Sequence, residues 1–268
     1  MNLIEPPNFS PDVLVAIDAV TKAAEEVKRI YGSDFSSALN DGQPITEADT
    51  GSNEVIKKIL ATTGYTILSE ESVDDLSRLA QQKIWIVDPL DGTSDFVNKT
   101  GEFVVMIGLV NNHLPVAGVL YQPIGDILYV AEKDRGAYRY QSGSWEKLFV
   151  SQVTKLSDAR VTMSRHHLST EDKLFLDQLG VDHYIQQGSC GLKVASIAQA
   201  EAEFYFTSTS KIKQWDTCAA NCLVTEAGGT MTDMLGQPLT YNTAVVNHEH
   251  GILVSNGNFT AQLVALRN

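Results

Sequence analysis

The chain is poor in cysteine, in positive charge and in long apolar runs, and each shortage removes a class of function. Three cysteines in 268 residues, Cys190, Cys218 and Cys222, are too few and too irregularly spaced for a disulfide framework, which fits a reducing compartment. Cys218 and Cys222 fall on one face of an expected helix, where small buried residues explain them better than a metal pair. Lysine and arginine total 20 against 33 aspartates and glutamates, a net charge of −13 that argues against a nucleic-acid polyanion as the main partner. The longest apolar runs, such as 104–110, are strand-sized and far short of a membrane span. The opening Met-Asn-Leu-Ile-Glu-Pro-Pro has no basic or apolar leader region, so a cytoplasmic protein is expected, with attachment to a membrane surface left open. Repeats and low-complexity segments are also missing.

What is present reads as an ordinary globular chain, 43% hydrophobic and long enough for one large domain or two lobes. Ser10-Pro11-Asp12 starts a helix whose apolar positions run from Leu14 to Ile30, stopped at Tyr31-Gly32. A second helix is expected over 50–62, with Asp49 placed to cap it, then a strand over 65–68, a helical turn over 76–82 and a buried strand over 84–87. Strands at 103–110, 114–122, 127–132 and 136–139, split by Asn-, Gly- and Asp-containing turns, form an antiparallel meander. From about 155 the pattern alternates. Strands at 160–164, 183–187, 204–206, 230–234 and 251–255 interleave with helices at 170–179, 189–199, 216–227 and 260–266, which argues for layered α/β.

The most informative stretch is Ile-Trp-Ile-Val-Asp-Pro-Leu-Asp-Gly-Thr-Ser at 84–94, a core strand that runs into Asp88 and Asp91. Each acid has a plain explanation: Pro89 makes a turn, Asp91 caps the next helix, Asp216 and Asp49 cap theirs, and Glu70 and Glu71 sit in a loop. An unpaired carboxylate at the end of a core strand is nevertheless costly. Several acids at element ends of an acidic protein repel one another unless a cation joins them. Two acids with the Leu90 carbonyl between them make an oxygen-donor set suited to Mg²⁺. A cation would also reconcile the negative chain with a phosphate ligand. His248-Glu249-His250 reads as an exposed loop, not a zinc site.

The motifs resemble those of the inositol monophosphatase superfamily. Asp88-Pro-Leu-Asp-Gly-Thr93 is similar to its D-P-[IL]-D-G-T signature, Trp215-Asp216-Thr-Cys-Ala-Ala220 running on to Gly228-Gly229 to its second signature, and Ser69-Glu70-Glu71-Ser72 to its upstream acidic element. Within the superfamily the resemblance points to 3′(2′),5′-bisphosphate nucleotidases of the CysQ type, through Gly101-Glu102-Phe103-Val104, Ser164-Arg165-His166-His167, and Gly188-Ser189 with Lys193. Inositol phosphatases have a substrate-contacting Glu where this chain has Thr209. Departures are Ser94-Asp95 in place of Lys-Glu, and His166 in place of Ser.

The resemblance implies a layered αβαβα sugar-phosphatase fold, with an α+β lobe over 1–154 and an α/β lobe over 155–268. It implies a phosphoric monoester hydrolase that removes the 3′-phosphate of adenosine 3′,5′-bisphosphate and of its sulfated precursor, PAPS, as part of sulfur metabolism. The alternative is an inositol or sugar phosphatase. It implies two Mg²⁺ ions with room for a third, and inhibition by Li⁺. Carried over residue by residue, Glu70, Asp88, Leu90, Asp91 and Asp216 are the metal ligands, and Asp49 and Thr93 activate the water. Glu70, Leu90, Asp91, Gly92, Thr93, Arg165, His167, Ser189, Lys193 and Asp216 line the substrate. The expected partner is a small phosphorylated nucleotide; a homodimer is left open.

Overall fold

A computed structural model of the chain describes residues 6–40, 43–181 and 183–267. Helix α1 (Pro11–Tyr31) begins at Ser10, whose hydroxyl accepts from the Val13 amide, with Pro11 at the first helical position. A hairpin, β1 (Ser37–Asn40) and β2 (Gln43–Thr46), leads into α2 (Glu47–Leu60). Next come β3 (Thr66–Ser69), β4 (Lys83–Asp91), the short α3 (Thr93–Val97), and the meander β5 (Val104–Asn111), β6 (Leu114–Gln122), β7 (Ile127–Glu132), β8 (Gly136–Gln141) and β9 (Ser144–Lys147). The chain then alternates: β10 (Thr162–Ser164), α4 (Thr170–Gln178), β11 (Ile185–Gln187), α5 (Cys190–Ala198), β12 (Phe204–Thr207), α6 (Gln214–Glu226), β13 (Thr230–Thr232), β14 (Ile252–Ser255) and α7 (Thr260–Arg267).

Strands β3 to β9 form one seven-stranded sheet in sequence order, with β3 parallel to β4 and the rest antiparallel. Its central strands are apolar on both faces, so alternate side chains feed two different cores. Trp85, Val87, Val105, Ile107, Val119 and Tyr121 pack with α1 and α2. Ile84, Ile86, Val104, Met106 and Leu120 pack on the opposite side, where α5 and α6 lie. Beyond α5 and α6 sits a small sheet ordered β12-β14-β13, with Phe175 of α4 against Phe206 of β12 and α7 against β14. The layers therefore run α, β, α, β, α. Among the described residues no helix is long and apolar enough to cross a membrane.

Two local features aim this scaffold. The register between β4 and β5 shifts between Asp88 and Asp91, so three steps on β4 answer two on β5. In a regular strand, residues three apart point to opposite faces; the bulge at Pro89 puts Asp88 and Asp91 on the same face, toward α5 and α6. The second feature is Gly118 on β6. A Cβ there would come within 2.1 Å of the Ala219 carbonyl oxygen, in the backbone of α6. Only glycine lets α6 lie this close, and α6 carries Asp216. Gly118→Ala is expected to lower stability by about 1–3 kcal/mol, the usual cost of overpacking. An urea titration that left the midpoint unchanged would contradict this account of the packing.

The structure corrects several sequence expectations. Helix α2 starts at Glu47, three residues early, because Thr46 is the cap and Asp49 lies inside the first turn. Likewise α6 starts at Gln214, so Asp216 is its third residue and not its cap. The hairpin β1–β2 and the edge strand β9 were not anticipated: both are short and polar, without the alternation that marks a half-buried strand. Helix α5 is buried all round.

Candidate active site

The ends of β3 and β4 and the first turn of α6 bring Glu70, Asp88 and Asp216 together. One carboxylate oxygen from each lies within 4.8 Å of the others. Asp88 is 1% exposed and accepts a hydrogen bond from the Leu90 amide at 3.0 Å. Asp216 accepts from the Lys213 amide at 2.6 Å, closing the first turn of its helix. Glu70 follows a fixed strand end. Ser69 donates to Asn53 Oδ1 at 2.8 Å, and Asn53 Nδ2 donates to the Glu71 carbonyl and to Ser72 Oγ, both at 3.2 Å.

The electrostatics of this cluster are unfavourable without a cation. Burial, then repulsion from Glu70, Asp91 and Asp216, raises the Asp88 carboxyl well above the usual range. Burial and the same neighbours raise Asp216. Glu70 is pushed up to about 7, mainly by burial, with Lys213 opposing and Glu71 adding to the rise. The buried Trp215 indole N–H faces Glu70 and helps to hold its pKa down. Oxygen donors that repel each other, gathered at one point, fit a hard divalent cation with its waters.

This gives a pH dependence of stability. Raised carboxyls hold protons in the folded state that the unfolded chain has released, so folding is weakened as pH rises through their folded-state pKa values. His248, lowered to about 4 by burial, acts in the opposite sense below about pH 6.5. Buried Lys193, its pKa lowered by burial, opposes the acids above 6.5, but three raised carboxyls outnumber it, and the Tm of the chelated protein is expected to fall between pH 6.5 and 8. Millimolar Mg²⁺ should flatten that slope. A Tm that rises over the same window in chelator would contradict the cluster's charge state.

Asp91 is placed differently from its neighbours. Its Oδ2 accepts from Ser189 Oγ at 2.5 Å and the Gly191 amide at 2.7 Å, and its Oδ1 from the Cys190 amide at 3.1 Å. It therefore fastens the end of β4 to the start of α5 while staying close enough to Asp88 to raise its pKa. Ser189, at φ 57°, also caps α5 through the Leu192 amide.

Beside this junction, close enough for Asp49 to raise the Glu70 pKa, Asp49 and Thr93 meet. Thr93 Oγ1 lies 3.0 Å from Asp49 Oδ1 and 3.1 Å from the Leu90 carbonyl oxygen. Asp49 Oδ2 accepts from both the amide and the hydroxyl of Thr46 at 2.7 Å. Burial raises the Asp49 pKa against these bonds. Gly92, at φ 98°, makes the turn that delivers Thr93; a Cβ would meet the Glu102 carbonyl oxygen at 2.8 Å.

The residues expected to meet a nucleotide are more engaged than the sequence suggested. Arg165 pairs with Asp95 at 2.5 Å and with Glu102 at 2.7 Å, so its charge is largely answered within the protein. His166 Nε2 also approaches Asp95, at 3.2 Å. His167 is exposed at the surface, and loss of water around its ring, then Lys193, lowers its pKa. Lys193 is 3% exposed rather than solvated, and its ammonium donates to the Ser189 carbonyl at 2.6 Å. Among the other expectations, His248 is buried, not exposed, with Nε2 2.8 Å from Thr217 Oγ1; Glu249 and His250 are exposed. The three cysteines are buried free thiols. Sequence reasoning missed Asn53 and gave no role to Asp95 and Glu102, though both lie in stretches it quoted; their partners, distant in sequence, reveal them.

The model of the inositol monophosphatase family matches residues 10–268. The 3′(2′),5′-bisphosphate nucleotidase CysQ of Aggregatibacter actinomycetemcomitans is 31% identical over 231 residues, covering 84% of this chain and 86% of the relative. The protein of the same name from Escherichia coli K12 is 34% identical over 209 residues, covering 75% and 80%. The crystal structure of CysQ from Bacteroides thetaiotaomicron, a bacterial member of the inositol monophosphatase family, aligns with a TM-score of 0.82 at 31% identity, over 93% of this chain and 98% of that one.

Proposed function

The chain belongs to the inositol monophosphatase family, and from that premise we propose that it is a Mg²⁺-dependent 3′(2′),5′-bisphosphate nucleotidase, releasing the 3′-phosphate of adenosine 3′,5′-bisphosphate and of its sulfated precursor. The observation that carries the reading is the junction of Glu70, Asp88 and Asp216, with the Asp49–Thr93 pair beside it. The nucleotidase relatives, at 31% and 34% identity, support the nucleotide over inositol. So does Thr209, at the position where inositol phosphatases place a substrate-contacting acid. We read 1–154 and 155–268 as two lobes that meet here, in a cytoplasmic enzyme.

Glu70, Asp88 and the Leu90 carbonyl would hold one Mg²⁺, and Asp88, Asp91 and Asp216 a second; Li⁺ would compete at one position. Bound there, the cations acidify water and take up charge from the phosphoryl oxygens. The chain itself positions the nucleophile. Thr93 donates its hydroxyl proton to Asp49, which turns a lone pair of Oγ1 outward to accept from a water. As the water oxygen attacks phosphorus in line, its proton passes to Thr93 and the Thr93 proton to Asp49. The ribose oxygen leaves with the bonding pair and takes a proton from solvent. The raised Asp49 pKa makes it a stronger base than an exposed aspartate. Of the nucleotide candidates, His167 keeps the least-engaged side chain, and Arg165 and Lys193 shape the pocket through their internal partners.

The test is phosphate release from adenosine 3′,5′-bisphosphate against inositol 1-phosphate, with Mg²⁺ and with chelator. The expected result is a kcat/KM at least about 100-fold higher for the nucleotide, a discrimination of about 2.7 kcal/mol, abolished by chelator. Equal rates would favour the broader sugar-phosphatase reading, and activity that survives chelation would remove the mechanism.

A further inference from the structure

Arg78 is 1% exposed, one of the largest buried side chains in the protein, and lies outside the acidic junction. Its Nε and Nη2 hold Asp74, the shortest contact being 2.7 Å, and its Nη1 donates to Asn242 Oδ1 at 3.0 Å. Asn242, 2% exposed, returns the contact: its Nδ2 donates to the Arg78 carbonyl at 3.1 Å and to the Gln81 carbonyl at 3.0 Å. The Asn242 backbone amide donates to Gln214 Oε1 at 2.8 Å. Gln214 Nε2 in turn donates to Thr243 Oγ1 at 2.6 Å and to the Val245 carbonyl at 3.1 Å. Gln214 is the first residue of α6, two before Asp216.

A contiguous polar chain thus joins the loop that begins at Glu70 to the helix turn that carries Asp216. The near end of that loop is fixed separately, by Asn53 on the Glu71 carbonyl. Asn242 holds φ 55°, a left-handed conformation that asparagine tolerates better than most residues. Glu70 and Asp216 repel each other. The simplest relief of that repulsion is for the loop and the start of α6 to separate, and the Arg78–Asn242–Gln214 chain opposes that movement.

We propose that Asn242 is a positioning residue that ties the Glu70 loop to the start of α6 and keeps Glu70 and Asp216 at the spacing a divalent cation needs. The proposal rests on the reading of that junction as a cation site. The test measures Mn²⁺ binding by electron paramagnetic resonance, together with the Mg²⁺ dependence of turnover. Asn242→Gly permits the left-handed backbone and keeps the amide to Gln214, but deletes the side-chain links. Its Mn²⁺ Kd is expected to rise at least about tenfold, the usual scale for groups that orient ligands, while kcat at saturating Mg²⁺ falls by less than about threefold. Leu263→Ala, in the core of α7, makes none of these contacts and serves as a destabilised control; its Kd should stay within about twofold. Gln214→Ala cuts the next link and should give the same shift should Asn242→Gly fail to fold. Unchanged Mn²⁺ affinity in both brace variants, or an equal loss in Leu263→Ala, would overturn the proposal. Failure of the unaltered chain to bind Mn²⁺ would instead remove the cation reading, and the proposal with it.

Discussion

Asp88→Asn is expected to reduce turnover by at least about 1,000-fold while raising the Tm of the metal-free protein. The two effects have one cause. Asp88 is the most enclosed acid of the junction, and Glu70, Asp91 and Asp216 all raise its pKa. An isosteric amide keeps the oxygen that accepts from the Leu90 amide and removes the repulsion and much of the desolvation cost. A gain of about 1 kcal/mol corresponds to roughly 2–4 °C in a chain of this size. The same change removes the charge shared between both proposed cation positions, so the added stability that ligand binding gives the unaltered protein should vanish. Thermal melts with and without Mg²⁺ decide it. A variant that melts lower than the parent in chelator, yet still gains stability from Mg²⁺, would show that Asp88 is a structural acid.

The same residues show what was and was not legible in the sequence. The strand ahead of Asp88 was readable, because Ile84 to Val87 is apolar on both faces and too short for a buried helix. That Asp88 and Asp91 share a face was not argued from the strand. Pro89 inside a run of strand character signals a bulge, and a bulge alone makes a three-residue spacing face one way. The acids themselves were found because each lies at an element end, where hydrophobic pattern gives way to charge. Their partners were not. The bonds from α5 to Asp91 cross about a hundred residues of chain, and no local spacing encodes them. His248 was misread for a related reason: three polar residues in a row look like a surface loop, and the Thr217 hydroxyl that makes burial tolerable is 31 residues away. Arg78 had a local hint, an arginine four residues after Asp74, but its burial depends on Asn242, 164 residues on.

Asp49→Asn is expected to lower kcat by roughly 100- to 10,000-fold, the range for losing a positioned general base, with little change in KM or Mn²⁺ affinity. The argument is one of hydrogen-bond polarity. As a carboxylate, Asp49 only accepts, from Thr46 through Oδ2 and from Thr93 through Oδ1. An asparagine that keeps the Thr46 bonds must turn its NH₂ toward Thr93. The Thr93 hydroxyl then accepts from the amide, and the carboxylate that would have received its proton is gone. Fold should survive, because the bonds from Thr46 that close the first turn of α2 remain and a buried charge is removed. Thr93→Val should cost a similar amount, since Oγ1 is the other half of the relay. The double variant should be little worse than either single one, because groups acting as a unit are not additive. At saturating Mg²⁺ the parent's loss of activity at low pH should change in Asp49→Asn, since one of the carboxyls whose protonation stops turnover is gone. A double variant whose losses multiply would mean that Asp49 and Thr93 act separately. An acid limb unchanged in Asp49→Asn would assign the titration to another carboxyl and leave Asp49 as the clamp of α2.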